Sequence, residues 1–170
     1  MKRHFEMFAA YNRWANGRIY AAAADLTEEE LGRNMGAFFG SALGTLNHIL
    51  VGDRIWMKRF TGEGEIPASL EATLYPTFEA LKLAREAEDE RIVAWTGSLT
   101  DKALSGRFTY MTVTDMRTVS QRLAPALAHL FNHQTHHRGQ VHMILTALGR
   151  PSVVLDLVYF QRTGEGRQFA

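Results

Sequence analysis

Cysteine is absent from the 170 residues, which removes disulfides, thiolate metal sites and a cysteine nucleophile. Any bound metal must therefore be held by nitrogen or oxygen. Long apolar runs are missing too, since none approaches the ~18 consecutive apolar residues of a membrane span, and no membrane partner is expected. The opening Met-Lys-Arg-His-Phe-Glu-Met lacks the apolar stretch of a secretory signal and leads straight into a pattern carrying Glu6 and Arg13, so a cytoplasmic location is the expectation. An excess of either charge is also lacking. Lys and Arg number 19 against 18 Asp and Glu, the net charge is +1, and the basic residues are scattered, which speaks against a nucleic-acid partner.

What is present, 46% hydrophobic and 22% charged residues, is the composition of a globular chain of one domain, 1–170. Apolar residues recur at three- and four-residue steps from about Lys2 to Ala24, the mark of an amphipathic helix. Thr27 with Glu30 has the form of a capping box for a short turn to about Arg33, and Gly36 and Gly40 frame a loop. Ser41 caps a second long helix that runs to about Thr61 and ends in a glycine-rich turn lacking the lysine and spacing of a phosphate loop. Pro76 opens a third, about Thr77 to Gly97, whose Lys82, Arg85, Glu86, Asp89 and Glu90 read as a solvated face. Residues from Gly106 to Thr118 alternate as a small hairpin with Thr114-Asp115 at its turn. The fourth and longest helix is expected from about Ser120 to Leu148, stopped by Gly149 and Pro151, with one or two further turns between Val153 and Phe160. These elements predict an all-α four-helix bundle with a small hairpin before its last long helix.

Five of the seven histidines (His129, His133, His136, His137 and His142) fall within that fourth helix, a concentration that helix propensity does not explain. Its core-facing positions trace as Leu123, Leu127, Leu130, His133, His137, Val141, Ile144 and Leu148, so two histidines interrupt an apolar stripe. Residues four apart stand about 40° and about 6 Å from one another on a helix, close enough for His133 and His137 to share an ion. His129 with His133, and His133 with His136, are also geometrically possible pairs. A third ligand must come from elsewhere, and His48 in the second helix is better placed than His4 near the terminus. Gly44 and Gly52 lie one turn to either side of His48, leaving a bare patch where a helix or ligand can approach its imidazole.

Each of these features also has a plain structural explanation. A histidine at an apolar position is most often a hydrogen-bonded core residue. Trp14, Trp56 and Trp95 sit at core spacing and read as packing residues.

At these residues the chain resembles the DinB family, which shares a superfamily with YfiT-like metalloenzymes and thiol-dependent transferases. The resemblance spans nearly the whole chain. It is carried by Tyr-Asn-Arg-Trp-Ala-Asn at 11–16, Leu-Asn-His-Ile-Leu-Val-Gly-Asp-Arg-Ile-Trp at 46–56, His-Leu-Phe-Asn-His-Gln-Thr-His-His-Arg-Gly-Gln at 129–140 and Leu-Asp-Leu-Val-Tyr-Phe at 155–160. It implies a metal triad of one second-helix histidine with the first and last histidines of a His-x-x-His-His segment, which here are His48, His133 and His137. It also implies a homodimer.

Three imidazoles leave a coordination position for water or substrate, as catalytic sites do. The ion would be zinc or nickel first, with iron or cobalt also compatible with such ligands. The expected function is a metal-dependent enzyme acting on a small molecule, a hydrolase or a transferase using a low-molecular-weight thiol. The alternative is a noncatalytic metal-binding stress-response protein. Candidate helpers are Asn132, His136, Arg138 and Gln140, with Asp53, Asp156 and Tyr159 more distant. A metalloprotease is disfavoured, because Gln134 stands where the zinc-protease helix carries its general-base glutamate.

Overall fold

The computed structural model describes residues 1–112 and 115–170, and it is mostly helical. Helix α1 spans Lys2–Ala23, α2 Glu28–Gly32, α3 Ala42–Thr61, α4 Phe78–Ser98 and α5 Asp101–Ser105. Strands β1 (Arg107–Met111) and β2 (Thr118–Arg122) follow, then α6 (Leu123–Ala147), α7 (Leu157–Phe160) and a closing 3₁₀ turn, Gly166–Phe169.

Local chemistry sets these boundaries. Thr27 and Glu30 form the complete reciprocal capping box of α2. The Ser41 hydroxyl accepts from the Gly44 amide at 3.0 Å, and Gly62 closes α3 in the left-handed conformation with φ 77°. Thr77 caps α4 and Thr100 caps α5, a short helix that the sequence reading did not anticipate. The longest helix begins at Leu123 and not at Ser120. Residues 118–122 instead pair antiparallel with β1, from Arg107 opposite Arg122 to Met111 opposite Thr118, and Arg107 donates to the Ser120 carbonyl at 2.7 Å. Cross-strand bonds outcompete a first helical turn in this β-branched stretch. Val113 and Thr114, part of the expected hairpin and its turn, lie outside the described residues.

Helices α1, α3, α4 and α6 pack on one another, with α1 against α4 and α6, and α3 against α4 and α6. Their apolar residues form two main clusters. One gathers Ile19, Leu46, Leu50, Phe78, Leu81 and Ile144; the other gathers Phe5, Met57, Ile92, Leu127 and Leu130. Between them, along each long helix, stand polar residues that are buried: Asn12 and Asn16 on α1, Asp53 on α3, Arg85 and Asp89 on α4, Gln134 and Arg138 on α6. The reading of Arg85 and Asp89 as solvated is therefore corrected: they are 2% and 4% exposed, while Lys82, Glu86 and Glu90 do face water. Pattern alone cannot separate these positions, because a charged residue at a core-facing angle looks like any other charge until its partners on other helices are known.

The partners are specific. Arg85 pairs with Asp53 and, at 3.1 Å, with Asp89. Gln134 donates to Asp53 at 2.8 Å, and Asn16 donates to Asp89 at 2.9 Å and to Gln134 at 3.1 Å. Arg138 donates to Asn12, Asn16 and Gln134. One hydrogen-bonded layer thus joins all four long helices. Burial pushes the Asp53 carboxyl up to about 7 against the opposing pull of Arg85.

Removing one member of such a layer leaves a buried charge unpaired, whereas a surface pair such as Arg33–Glu29 is worth little. Arg85→Ala is expected to cost roughly 3–5 kcal/mol in urea unfolding. Glu29→Ala should cost less than about 1 kcal/mol. Equal effects would contradict the structural weight given to the layer.

Candidate metal centre

Helices α3 and α6 bring His48, His133 and His137 together, so that one ring nitrogen from each lies within 4.8 Å of the other two. Ring centroids stand 4.4–5.1 Å apart. The approach depends on Gly52. A Cβ there would lie 2.8 Å from His133 Cε1 and 3.2 Å from its Nδ1, so the imidazole occupies the space a side chain would take. Gly44 serves the same helix differently, since a Cβ there would meet the Phe39 carbonyl oxygen at 2.3 Å. The bare patch around His48 is thus filled on one side by α6 and on the other by the loop before α3.

The hydrogen bonds settle which nitrogens face inward. His48 Nδ1–H donates to the Leu70 carbonyl at 2.9 Å, and His137 Nδ1–H donates to Gln140 Oε1 at 2.7 Å. Both rings therefore present the lone pair of Nε2. His48 Nε2 lies 3.2 Å from His133 Nε2. Bonds of about 2.0–2.1 Å to a tetrahedral ion would set ligand atoms about 3.3 Å apart, so this spacing suits a shared cation. His133 Nδ1 is buried and has no hydrogen-bond partner among the described residues. The residues present fit a divalent metal, with two of three imidazoles already oriented by outer contacts.

The electrostatics agree. Burial and the neighbouring His137 and His48 push His133 down to about 3, and burial also lowers His48 and His137. All three rings are neutral, the form that ligates, across the physiological range. Phe39 stacks on His48 at 3.7 Å between centroids and meets His137 edge-on at 5.6 Å, shielding one side of the group. A cleft of about 260 Å³ opens beside His48, lined by Phe38, Phe39, Asn47 and Glu71 among others. Asn47, which lines it, ties α3 to the segment before α4 by bonding both the amide and the carbonyl of Tyr75 at 3.0 Å.

Of the expected helpers, Gln140 reaches the triad and His136 flanks it, exposed, 4.7 Å from the His137 ring and in contact with Gln140 at 3.4 Å. Asn132 is exposed. Arg138 is not beside the triad, because one residue past His137 it points toward α1 and joins the buried layer, as Asp53 does from α3. Asp156 and Tyr159 line a separate cleft. His129 packs against Trp56 and His133, and His4 lies against Phe5 and Phe8, away from the triad. Sequence reasoning missed Phe39 and the Leu70 carbonyl. The first belongs to a loop without periodicity, and the second is backbone, which no side-chain pattern reports.

Two outcomes follow. Gly52→Ala should displace His133 and weaken metal binding by about tenfold or more, measured by competition with a chelating dye, whereas unchanged affinity would refute the close approach. In metal-free protein, the His133 ring resonance should stay neutral down to about pH 5, because its folded value lies below the ordinary ~6.5. The stability tied to this neutral ring is complete above about pH 6.5 and is lost as pH falls toward about 3. A titration midpoint near 6.5 would contradict the burial.

The sequence profile of the DinB family matches residues 1–167. Protein DinB of Bacillus subtilis (strain 168) is 26% identical over 152 residues, covering 86% of this chain and 87% of that protein. The crystal structure of a DinB-like protein from Bacillus cereus ATCC 10987 superposes with a TM-score of 0.60 at 21% identity, covering 83% of this chain and 90% of that one. With a match across almost its full length and a shared fold, the chain belongs to the DinB family.

Proposed function

We propose that this protein is a metal-dependent enzyme acting on a small molecule, of the thiol-dependent transferase or hydrolase type, with its ion held by His48, His133 and His137. We also read residues 1–170 as one four-helix-bundle domain of the DinB/YfiT-like type. The observation that carries the functional reading is the convergence of three neutral imidazoles, two with Nε2 directed inward, beside an open cleft. When bound, a divalent ion supplies Lewis-acid polarisation of an oxygen or sulfur atom. The protein's own contribution is orientation. The Leu70 carbonyl and Gln140 fix two ring tautomers, Phe39 keeps water from one face, and the cleft beside His48 has room for a small molecule and little more.

Protease chemistry is disfavoured on structural grounds as well. Gln134 is fully buried and bonded to Asp53, Asn16 and Arg138, so it is turned away from the triad and has no proton-accepting role there. The noncatalytic alternative predicts a closed site, and the cleft beside His48 favours the enzyme.

The test is a screen of thiol-transfer and hydrolysis reactions with the metal-reconstituted protein. Turnover that falls about 100-fold or more in His48→Ala, with an unchanged circular dichroism spectrum, is the expected result. A protein that melts much lower on chelation yet turns over nothing in the screen would instead favour the noncatalytic reading.

A further inference from the structure

A cavity of about 620 Å³ lies between α6, the start of α1 and the segment 152–159, and none of the three clustered histidines lines it. Its lining includes Arg138, which is 2% exposed. Among the described residues every hydrogen bond of this guanidinium goes to a neutral oxygen: Asn12, Asn16 at 3.1 Å, Gln134 at 3.1 Å and Thr135 at 3.2 Å. The two carboxylates of the buried layer, Asp53 and Asp89, are both engaged by Arg85 instead. Arg138 forms no ion pair among the described residues. A buried charge ordinarily has a charged partner, because neutral acceptors offset only part of its lost hydration.

The Tyr11 ring covers one face of the guanidinium, its centroid 5.5 Å from Arg138 Cζ. Of five N–H groups, the two on Nη1 serve the amides, and the Nε–Nη2 edge has the Thr135 hydroxyl as its acceptor. That edge is the one that grips a carboxylate through two parallel bonds. The apolar part of the cleft is Phe8, Val153, Val154 and Leu157, beside His142 and Ser152, which bond each other at 3.0 Å, and Tyr11 braces the segment by donating to the Leu155 carbonyl at 2.7 Å. Asp156 also lines the cleft but is exposed, where solvent screens its charge.

We infer that this cleft binds a small carboxylate with an apolar body, its anionic head on Arg138 and its body against Phe8, Val154 and Leu157. The site is separate from the histidine triad and does not depend on the metal reading.

The probe is hexanoate, with the uncharged isostere hexanamide as control, titrated into the full-length protein near pH 7 and followed by amide resonances. Saturable shifts at Thr135, Gly139 and residues 152–157, with hexanamide at least about tenfold weaker, are expected. Equal binding of acid and amide, no saturation, or shifts centred instead on Phe39 and Glu71 would each overturn the proposal.

Discussion

The close approach of α6 to α3 at Gly52 is the constraint on which the rest of the molecule turns. A glycine there admits the His133 ring, and the ring's position fixes the distance and register between the two helices. The polar contacts between these two helices follow that register. Gly52 is succeeded by Asp53, His133 by Gln134 and His137 by Arg138. Each step turns about 100° around its helix, so the first residue of each couple faces the histidine cluster and the second enters the buried layer. One helix contact thereby sets both the geometry of the site and the hydrogen bonds that hold the scaffold behind it.

The division of labour between the apolar clusters and the polar layer makes energetic sense. Burying the two sets of apolar side chains supplies the driving force for packing but tolerates sliding, since one leucine face fits another in several registers. The layer tolerates no such slip. Displacing one helix by a turn would separate Arg85 from Asp53 and Gln134 from Asn16, leaving buried charges and amides unpaired. Rigidity of this kind suits a site whose ligand atoms must be held to within a fraction of an ångström.

Much of this was legible in the sequence. Helix boundaries followed from caps that are purely local, such as Thr27–Glu30 and Ser41, and the three histidines were named from spacing together with a family resemblance. The paired glycines beside His48 announced a close approach, although not which element would make it. Three things were hidden for physical reasons. Arg85 and Asp89 looked like surface charges because their partners reside on other helices. Arg138 was assigned to the triad by proximity in sequence, whereas a 100° turn carries it to another face. The start of α6 was misplaced because pairing with β1, a nonlocal bond, decides the conformation of residues 118–122.

On the proposed reading, the imidazoles gathered across the α3–α6 contact share one ion. Elemental analysis of protein purified without a nickel column tests it most directly, comparing the wild type with His48→Ala, His137→Ala and His129→Ala. One shared ion requires one equivalent of a transition metal that is lost in the first two variants and kept in the third. A wild type that takes up no zinc, nickel or iron(II) on reconstitution, or a His48→Ala variant that retains its metal, would contradict it.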